Sequence, residues 1–179
     1  MTPARIALLR GINVGGHAKI AMADLKALAS DLGLSQPQTL LQSGNLVVRS
    51  SEAPEALEPR LEAATVERFG LAVTYFLRDT GQWTDVIAAN PFPDEAKADP
   101  SHLLVYFLRT TPDAAAVAAL QAAIRGPEIV RAHGRHAYIT YPDGIGRSRL
   151  TNPMIEAKLG PATGRNWNTI LKLAALAGV

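Results

Sequence analysis

Cysteine is absent from the 179-residue sequence. Its absence excludes disulfides, thiolate nucleophiles and metal sites with cysteine ligands, and it fits a reducing compartment. The chain also lacks any uncharged apolar stretch of about 18 residues, the length that spans a bilayer. The apolar run at 6–9, between Arg5 and Arg10, is too short for a signal peptide. We therefore expect a cytoplasmic protein that contacts no membrane.

Charge is sparse and unevenly distributed. Charged residues make up 19% of the chain and hydrophobic residues 47%, which is typical of a globular protein with one domain or two small ones. Residues 90–179 hold 10 Lys/Arg against 7 Asp/Glu, whereas residues 1–89 hold 8 against 9. The basic excess of the second half predicts either a surface that attracts phosphates or an ordinary solvated face.

Hydrophobic periodicity and turn residues divide the first half into six elements. They are a strand at 4–9, a helix from Ile20 to a cap at Gly33, strands at 39–42 and 45–48 around a Ser43-Gly44 turn, a helix capped by Ser51 with Pro59 in its first turn, and a strand at 72–77. This order, βαββαβ, is that of a ferredoxin-like domain.

The second half opens with the same order. After a short helix at 83–89, the pattern predicts a strand at 102–109, a helix capped by Thr111, a hairpin of 129–132 and 136–141, a helix from Thr151 to Lys158, and a terminal helix from Arg165 to Ala177. No clear fourth strand follows, unless residues 146–150 form it. We predict an α+β fold of two ferredoxin-like halves, 1–90 and 101–179, joined by a linker at 91–100, with internal duplication and extra C-terminal helices.

The glycine-rich stretch after the first strand is the strongest candidate for a binding site. Arg10, Asn13, Gly15, Gly16 and Lys19 lie between a strand and a helix. Glycines let backbone N–H groups converge on an anion, and the two cations can neutralise a phosphate. The spacing matches neither the P-loop nor the dinucleotide fingerprint, so a tight strand-to-helix turn is the alternative.

Residue patterns typical of catalysis are missing. His133 and His136 have no acidic residue beside them, so we predict no metal site. Ser43 lacks the glycine two positions earlier that a nucleophile elbow requires, and no carboxylates are spaced for acid–base chemistry. The sequence thus predicts no particular reaction.

Aromatic side chains of the second half offer a nucleic-acid hypothesis. If Tyr106, His136, Tyr138 and Thr140 lie on an open sheet face, a base could stack there. The alternative is that tyrosine occurs there because it is a good strand former.

Five motifs together resemble the bacterial family named domain of unknown function 1697. They follow the family's order and extend over nearly the whole chain: Leu9-Arg10-Gly11-Ile12-Asn13-Val14-Gly15-Gly16, Gln42-Ser43-Gly44-Asn45, Asn90-Pro91-Phe92, Gly146-Arg147-Ser148-Arg149-Leu150-Thr151 and Arg165-Asn166-Trp167-Asn168-Thr169. The resemblance implies a small cytoplasmic α+β protein of ferredoxin-like halves, and it implies no established activity or cofactor.

These motifs supply arginine, asparagine, glutamine and glycine, which recognise anions and bases through hydrogen bonds. We expect them to converge on one polar, basic cleft that binds a nucleotide, a nucleic acid or another anionic ligand. The residues that we expect to contact the ligand are Arg10, Asn13, Gly15, Gly16, Lys19, Gln42, Asn45, Arg147, Arg165, Asn166 and Asn168. The alternatives are an enzyme acting on an anionic metabolite and a protein–protein interaction module, in which the asparagines only cap a helix and hold loops.

Overall fold

A computed structural model describes residues 1–179 as two compact units. Unit 1 comprises Met1–Asp85 and Lys172–Val179, and unit 2 comprises Val86–Leu171. The segment at 91–100 contains a helix and leads into a 3-10 turn at Pro100–His102. None of the helices is both long and apolar enough to cross a membrane.

Fifteen helices and strands follow one another along the chain. Their bounds are β1 Ala4–Leu9, α1 Met22–Asp31, β2 Ser35–Thr39, β3 Asn45–Arg49, α2 Pro54–Phe69, β4 Tyr75–Asp79, α3 Thr80–Ala88, α4 Pro93–Ala98, β5 Leu103–Leu108, α5 Ala114–Ala123, β6 Ile129–His133, β7 His136–Thr140, α6 Asn152–Leu159, β8 Ala162–Asn166 and α7 Trp167–Ala177.

Each unit contains one four-stranded antiparallel sheet. The strand order is β2-β3-β1-β4 in unit 1 and β6-β7-β5-β8 in unit 2, so the fold is α+β. In unit 1, alternate residues of the strands, such as Ala7 and Leu9 of β1, pack with Leu25 of α1 and Leu61 of α2. Because side chains alternate across a strand, this core covers one face of the sheet.

The core of unit 2 is built in the same way. Leu104, Tyr106 and Leu108 of β5 pack with Leu120 of α5 and Ile155 of α6. The opposite face of the sheet is buried as well, since Tyr138 is 0% exposed. Tyr106 and Tyr138 thus lie on opposite faces and neither is open to solvent. The hypothesis of bases stacking on an exposed face is wrong, because no aromatic of this sheet is accessible.

The first predicted hairpin is displaced along the chain. Strand β2 ends at Thr39, so the connection to β3 is a five-residue loop rather than the Ser43-Gly44 turn, and Leu41 is 52% exposed. Strand β2 is polar, contains Pro37 and has a register shift between Ser35 and Gln38. An edge strand of this composition has no apolar alternation to reveal it, so the two leucines misled the prediction.

The fourth strand of unit 2 was missed. Strand β8 pairs with β5, and α7 begins only at Trp167, while residues 145–147 form a 3-10 turn. A Cβ on Gly164 would lie 2.9 Å from Cε1 of Tyr106, so glycine is the residue that lets this strand pack closely. Its sequence, ATGRN, has weak strand propensity, and tertiary packing decides its conformation.

Several helix starts and strand ends are also shifted. Helix α2 begins at Pro54 rather than with a Ser51 cap, and Pro59 lies inside it. Strand β4 runs to Asp79, and helix α5 is capped by Asp113 rather than Thr111. Proline at the first helical position and a side chain that binds the backbone determine these starts.

Candidate functional site

The candidate site is formed where β1 ends and β3 and β4 begin. These strands are neighbours in the antiparallel sheet, so their adjoining loops meet at one edge. The Leu9 N–H donates to Gly44 O at 2.9 Å, and the Arg10 N–H donates to Thr74 O at 3.0 Å. We call residues 10–20, 40–45 and Thr74 the loop end of unit 1.

The glycine loop at 10–20 closes on itself through backbone hydrogen bonds. The Asn13 N–H donates to Ala18 O at 3.1 Å, and the His17 N–H donates to Val14 O at 3.2 Å. The two residues inside this turn, Gly15 and Gly16, have φ angles of 60° and 79°. Positive φ at both central positions is the requirement of a type I′ turn, which explains the paired glycines.

The Asn13 side chain fastens the glycine loop to the neighbouring loop. Its Nδ2 donates to Ile20 O at 2.9 Å and to Gln42 O at 2.7 Å, while its Oδ1 accepts from the Ile20 N–H at 2.9 Å. Both amide donors and the oxygen are therefore engaged within the protein. Asn13 positions the loop, and in this arrangement it offers no free donor to a ligand.

Asn45 has a similar structural task. It is 0% exposed, and its Nδ2 donates to Leu40 O at 2.6 Å and to Ser43 Oγ at 3.1 Å. Gln42 differs, because its side chain lies in an exposed position while its carbonyl accepts from Asn13. Of the two amides predicted to read a ligand in this loop, only Gln42 is accessible.

Left-handed backbone conformations are concentrated at the loop end of unit 1. Four non-glycine residues have positive φ, and three of them lie here: Asn13, Ala18 and Leu41. Such conformations are unfavourable for residues with a Cβ and persist only where the surrounding structure imposes them, often at functional sites. This concentration marks the loop end of unit 1 as a candidate site.

Charge at the loop end of unit 1 is of one sign. Arg10, His17 and Lys19 are exposed, and neither residues 1–23 nor residues 40–45 include an acidic residue. The first carboxylate in the sequence is Asp24, in the first turn of α1. That carboxylate offsets the partial positive charge at the N-terminus of α1. The positive surface is therefore formed by the side chains of the loop and not by the helix terminus.

The predicted residues of unit 2 are in different environments. Arg147 and Asn168 are exposed, whereas Arg165 is 7% exposed and its Nη1 donates to Thr163 Oγ1 and Gly164 O, both at 2.8 Å. Burial lowers the pKa of Arg165 to about 10, because desolvation disfavours the charged form. Asn166 Oδ1 accepts from the Thr169 N–H at 3.0 Å and so caps α7.

The family comparison can be set beside this geometry. A family model described as "Protein of unknown function (DUF1697)" matches residues 1–138. The chain belongs to this family. The resemblance inferred from the sequence motifs is thereby confirmed, and the match covers the whole loop end of unit 1. The Arg147 and Arg165 motifs lie beyond the matched residues of this DUF1697 chain.

A solved structure shows the same fold. The DUF1697 chain is similar to the conserved bacterial protein SP0830 from Streptococcus pneumoniae, with 21% sequence identity and a TM-score of 0.76. The similarity covers 97% of this chain and 98% of that one. At this identity the similarity concerns the fold alone. No curated protein shows significant similarity to the chain.

Two residues of the loop end of unit 1 were not among the sequence candidates. Val14 and Leu41 are 66% and 52% exposed, one on each loop. Nothing in the sequence separates them from core residues, because each continues an apolar pattern. Only the left-handed turn at Leu41 and the protruding turn at 14–17 expose them.

Proposed function

We propose that this DUF1697 protein binds a phosphate-bearing ligand, a nucleotide or a nucleic acid, at the loop end of unit 1. The observation that carries the proposal is the combination of exposed cations, loops that contain no acidic residue, and a backbone held in unfavourable conformations by its own hydrogen bonds. A loop organised before binding loses little entropy when a ligand arrives.

Specific groups are assigned roles in this proposal. Arg10 and Lys19 contact the anionic oxygens, Arg10 by a bidentate fork and Lys19 as a point charge. The N–H groups of Gly15 and Gly16 take no part in the hydrogen bonds that close the loop, so they are donors for a phosphate oxygen. Asn13 and Asn45 hold the loops in place, and Gln42 supplies an accessible amide.

In unit 2, Arg147 and Asn168 are exposed and stay proposed contacts for a nucleic acid. Arg165 and Asn166 have hydrogen bonds to the backbone and to neighbouring side chains, which supports a structural role beside the proposed binding role.

The test is a calorimetric titration with inorganic phosphate, a set of nucleotides and a short single-stranded RNA. Lys19→Gln is expected to weaken binding by about tenfold, because a charge-assisted hydrogen bond is lost. Lys26→Gln is the matched control, since Lys26 is exposed on α1 and its substitution removes the same charge. RNA binding should weaken steeply with added salt through counterion release. Absence of binding to every anion, or equal loss in both variants, would contradict the proposal.

A protein–protein interaction module is the second candidate function. The exposed apolar side chains of Val14 and Leu41 at the same end of unit 1 favour it, because apolar residues at a loop tip can anchor a partner. If this candidate is right, Leu41→Ser should bind nucleotides and RNA as the unchanged protein does. Loss of nucleotide or RNA binding in this variant would count against it.

We further propose that the two units are ferredoxin-like halves that arose by internal duplication. The matching strand orders support this, and so do the ends of β4 and β8. Nη1 of Arg78 donates to Leu77 O at 2.7 Å, and Nη1 of Arg165 donates to Gly164 O at 2.8 Å. In each strand the next residue, Asp79 or Asn166, caps the helix that follows.

A further inference from the structure

A pocket in unit 2 differs in charge from the loop end of unit 1. It has a volume of about 360 Å³ and lies between helix α4, the 3-10 turn that follows and the end of β7. Three acidic residues, Asp94, Glu95 and Asp99, are among its lining residues, together with Ala98, His102 and Pro142. We call it the acidic pocket.

One of the carboxylates is held in a fixed orientation. Asp99 Oδ2 lies 2.6 Å from Nδ1 of His102, and Asp99 Oδ1 accepts from Ser101 Oγ at 2.8 Å. The hydrogen bond from Ser101 has the largest effect, and the contact with His102 adds to it. Together they lower the pKa of Asp99 below its ordinary value. The carboxylate is therefore ionised at neutral pH, and the pocket carries negative charge.

A buried hydroxyl provides an independent observation. Thr140 is only 4% exposed, lines the acidic pocket and forms no side-chain hydrogen bond within the protein. No side-chain oxygen or nitrogen that is sealed from solvent lacks a partner, so the Thr140 hydroxyl is accessible. The hydroxyl therefore keeps a hydrogen-bonding position that a ligand in the pocket can use.

The chemistry of the wall distinguishes between classes of cation. No group of three or more His, Cys, Asp or Glu side chains is placed to hold a metal ion. Separated carboxylates, a hydroxyl and apolar surface instead fit a primary ammonium group on a short alkyl chain. The ammonium has three donors for such acceptors, and the alkyl chain covers Ala98 and Pro142.

Helix α4 alone does not account for these features. Acidic residues in a first turn interact favourably with the helix dipole, which explains Asp94 and Glu95. It explains neither the orientation of Asp99 nor the unbonded hydroxyl of Thr140. We propose that the acidic pocket binds an aliphatic primary amine, either a free small amine or the side chain of a lysine in a peptide.

The test is a titration with n-butylamine, followed by the NMR signal of the His102 ring, with neutral n-butanol as the matched ligand. We expect a saturable shift of His102 with the amine and none with the alcohol. Asp99→Asn should weaken binding about tenfold through loss of a charged acceptor. Thr140→Val, which keeps the shape of the side chain, should weaken it about threefold or more. Glu95→Gln, at an exposed position, replaces Asp99→Asn if that variant does not fold.

Asp143→Asn is the control for general charge, because Asp143 is exposed near the pocket but does not line it. It should leave the affinity for n-butylamine unchanged within about twofold, since an exposed carboxylate outside the pocket wall interacts only weakly with a cation through water. Equal weakening by Asp143→Asn, equal binding of n-butanol, or no saturable shift would overturn the proposal.

The source of the amine is distinguished by a second titration. Equal affinity for n-butylamine and for a lysine blocked at its amino and carboxyl groups indicates that the pocket recognises the alkylammonium group alone. Tighter binding of the blocked lysine indicates a peptide ligand. This inference does not depend on the phosphate proposal, because its residues and its ligand charge are different.

Discussion

At the residue scale, single side chains hold the candidate site together from within. Asn13 joins two loops through three hydrogen bonds, and Asn45 does the same inside the hairpin loop. Both residues were expected to contact a ligand, and the structure uses their amides for the backbone. Polar residues in a loop serve equally well in either role, so the motif did not distinguish them.

Replacing Asn13 should destabilise unit 1. Asn13→Ala leaves the Ile20 N–H and two carbonyls without their partner and places alanine at a φ of 55°. We expect the free energy of unfolding to fall by about 2 kcal/mol, from the loss of hydrogen bonds at partly buried groups together with the left-handed strain of alanine. Urea denaturation measures this, and Gln42→Ala is the control. An equal effect of both variants would show that Asn13 has no special role.

Two glycines of the site distinguish the effect of steric crowding from the effect of left-handed backbone strain. At Gly44, φ is 84° and a Cβ would lie 2.7 Å from Cδ1 of Ile12, whereas at Gly15 φ is 60° and the surrounding space is open. Gly15→Ala should therefore cost about 1 kcal/mol, from left-handed strain alone. Gly44→Ala should cost about 3 kcal/mol, because overpacking adds to the strain. Thermal unfolding of the two variants compares them, and similar melting temperatures would contradict this account.

At the element scale, the two edge strands β4 and β8 each end in a residue that starts a helix. Asp79 Oδ1 accepts from the Gln82 N–H at 2.8 Å, and Gln82 Oε1 accepts from the Asp79 N–H at 3.0 Å. This reciprocal pair is a capping box, and Asn166 makes the corresponding bond to Thr169. The helix start thereby also fixes where each strand ends.

The caps give a prediction about both units. Asp79→Ala and Asn166→Ala should each lower the free energy of unfolding by about 1 kcal/mol, the usual effect of losing an N-cap. Asp79→Asn and Asn166→Asp should preserve stability, since either side chain offers the needed oxygen. Chemical denaturation of the four variants checks this. Loss of stability in the exchanged pair would contradict equivalent capping and weaken the proposal of internal duplication.

At the scale of the whole molecule, all four tyrosines lie in buried positions with hydrogen-bonded hydroxyls. Tyr75 pairs with Thr65, Tyr106 pairs with Tyr141, and Tyr138 donates to Val86 O. Burial raises the pKa of Tyr75 to about 12 and raises the pKa of the other three above the ordinary value.

This burial predicts how stability depends on alkaline pH. Because the folded pKa values lie above the unfolded value of 10.0, the unfolded chain releases these protons first. The contribution to stability is present below pH 10.0 and is lost as the pH rises through the folded pKa values. Tyrosinate absorbance should therefore appear together with the loss of circular dichroism. Gradual ionisation near pH 10.0 in the folded protein would contradict the prediction.

The sequence by itself determined the α+β composition, six of the eight strands approximately, and the family. Strands β1 and β5 are continuous apolar runs, and helices with apolar periodicity or clear caps are visible without tertiary context. The glycine loop was also recognised, because the pair Gly15 and Gly16 indicates a turn that only glycine forms easily.

Only the tertiary structure decided the rest, because the deciding contacts join residues that are distant in sequence. Strand β2 is polar and β8 is rich in small residues, so each depends on its neighbouring strand rather than on its own propensity. Asn13 could have bound a ligand or held a loop in place. Its hydrogen bonds to the carbonyls of residues 20 and 42 show that it holds the loop. The acidic pocket likewise joins residues from 94–102 with residues from 140–142, and no local pattern connects them.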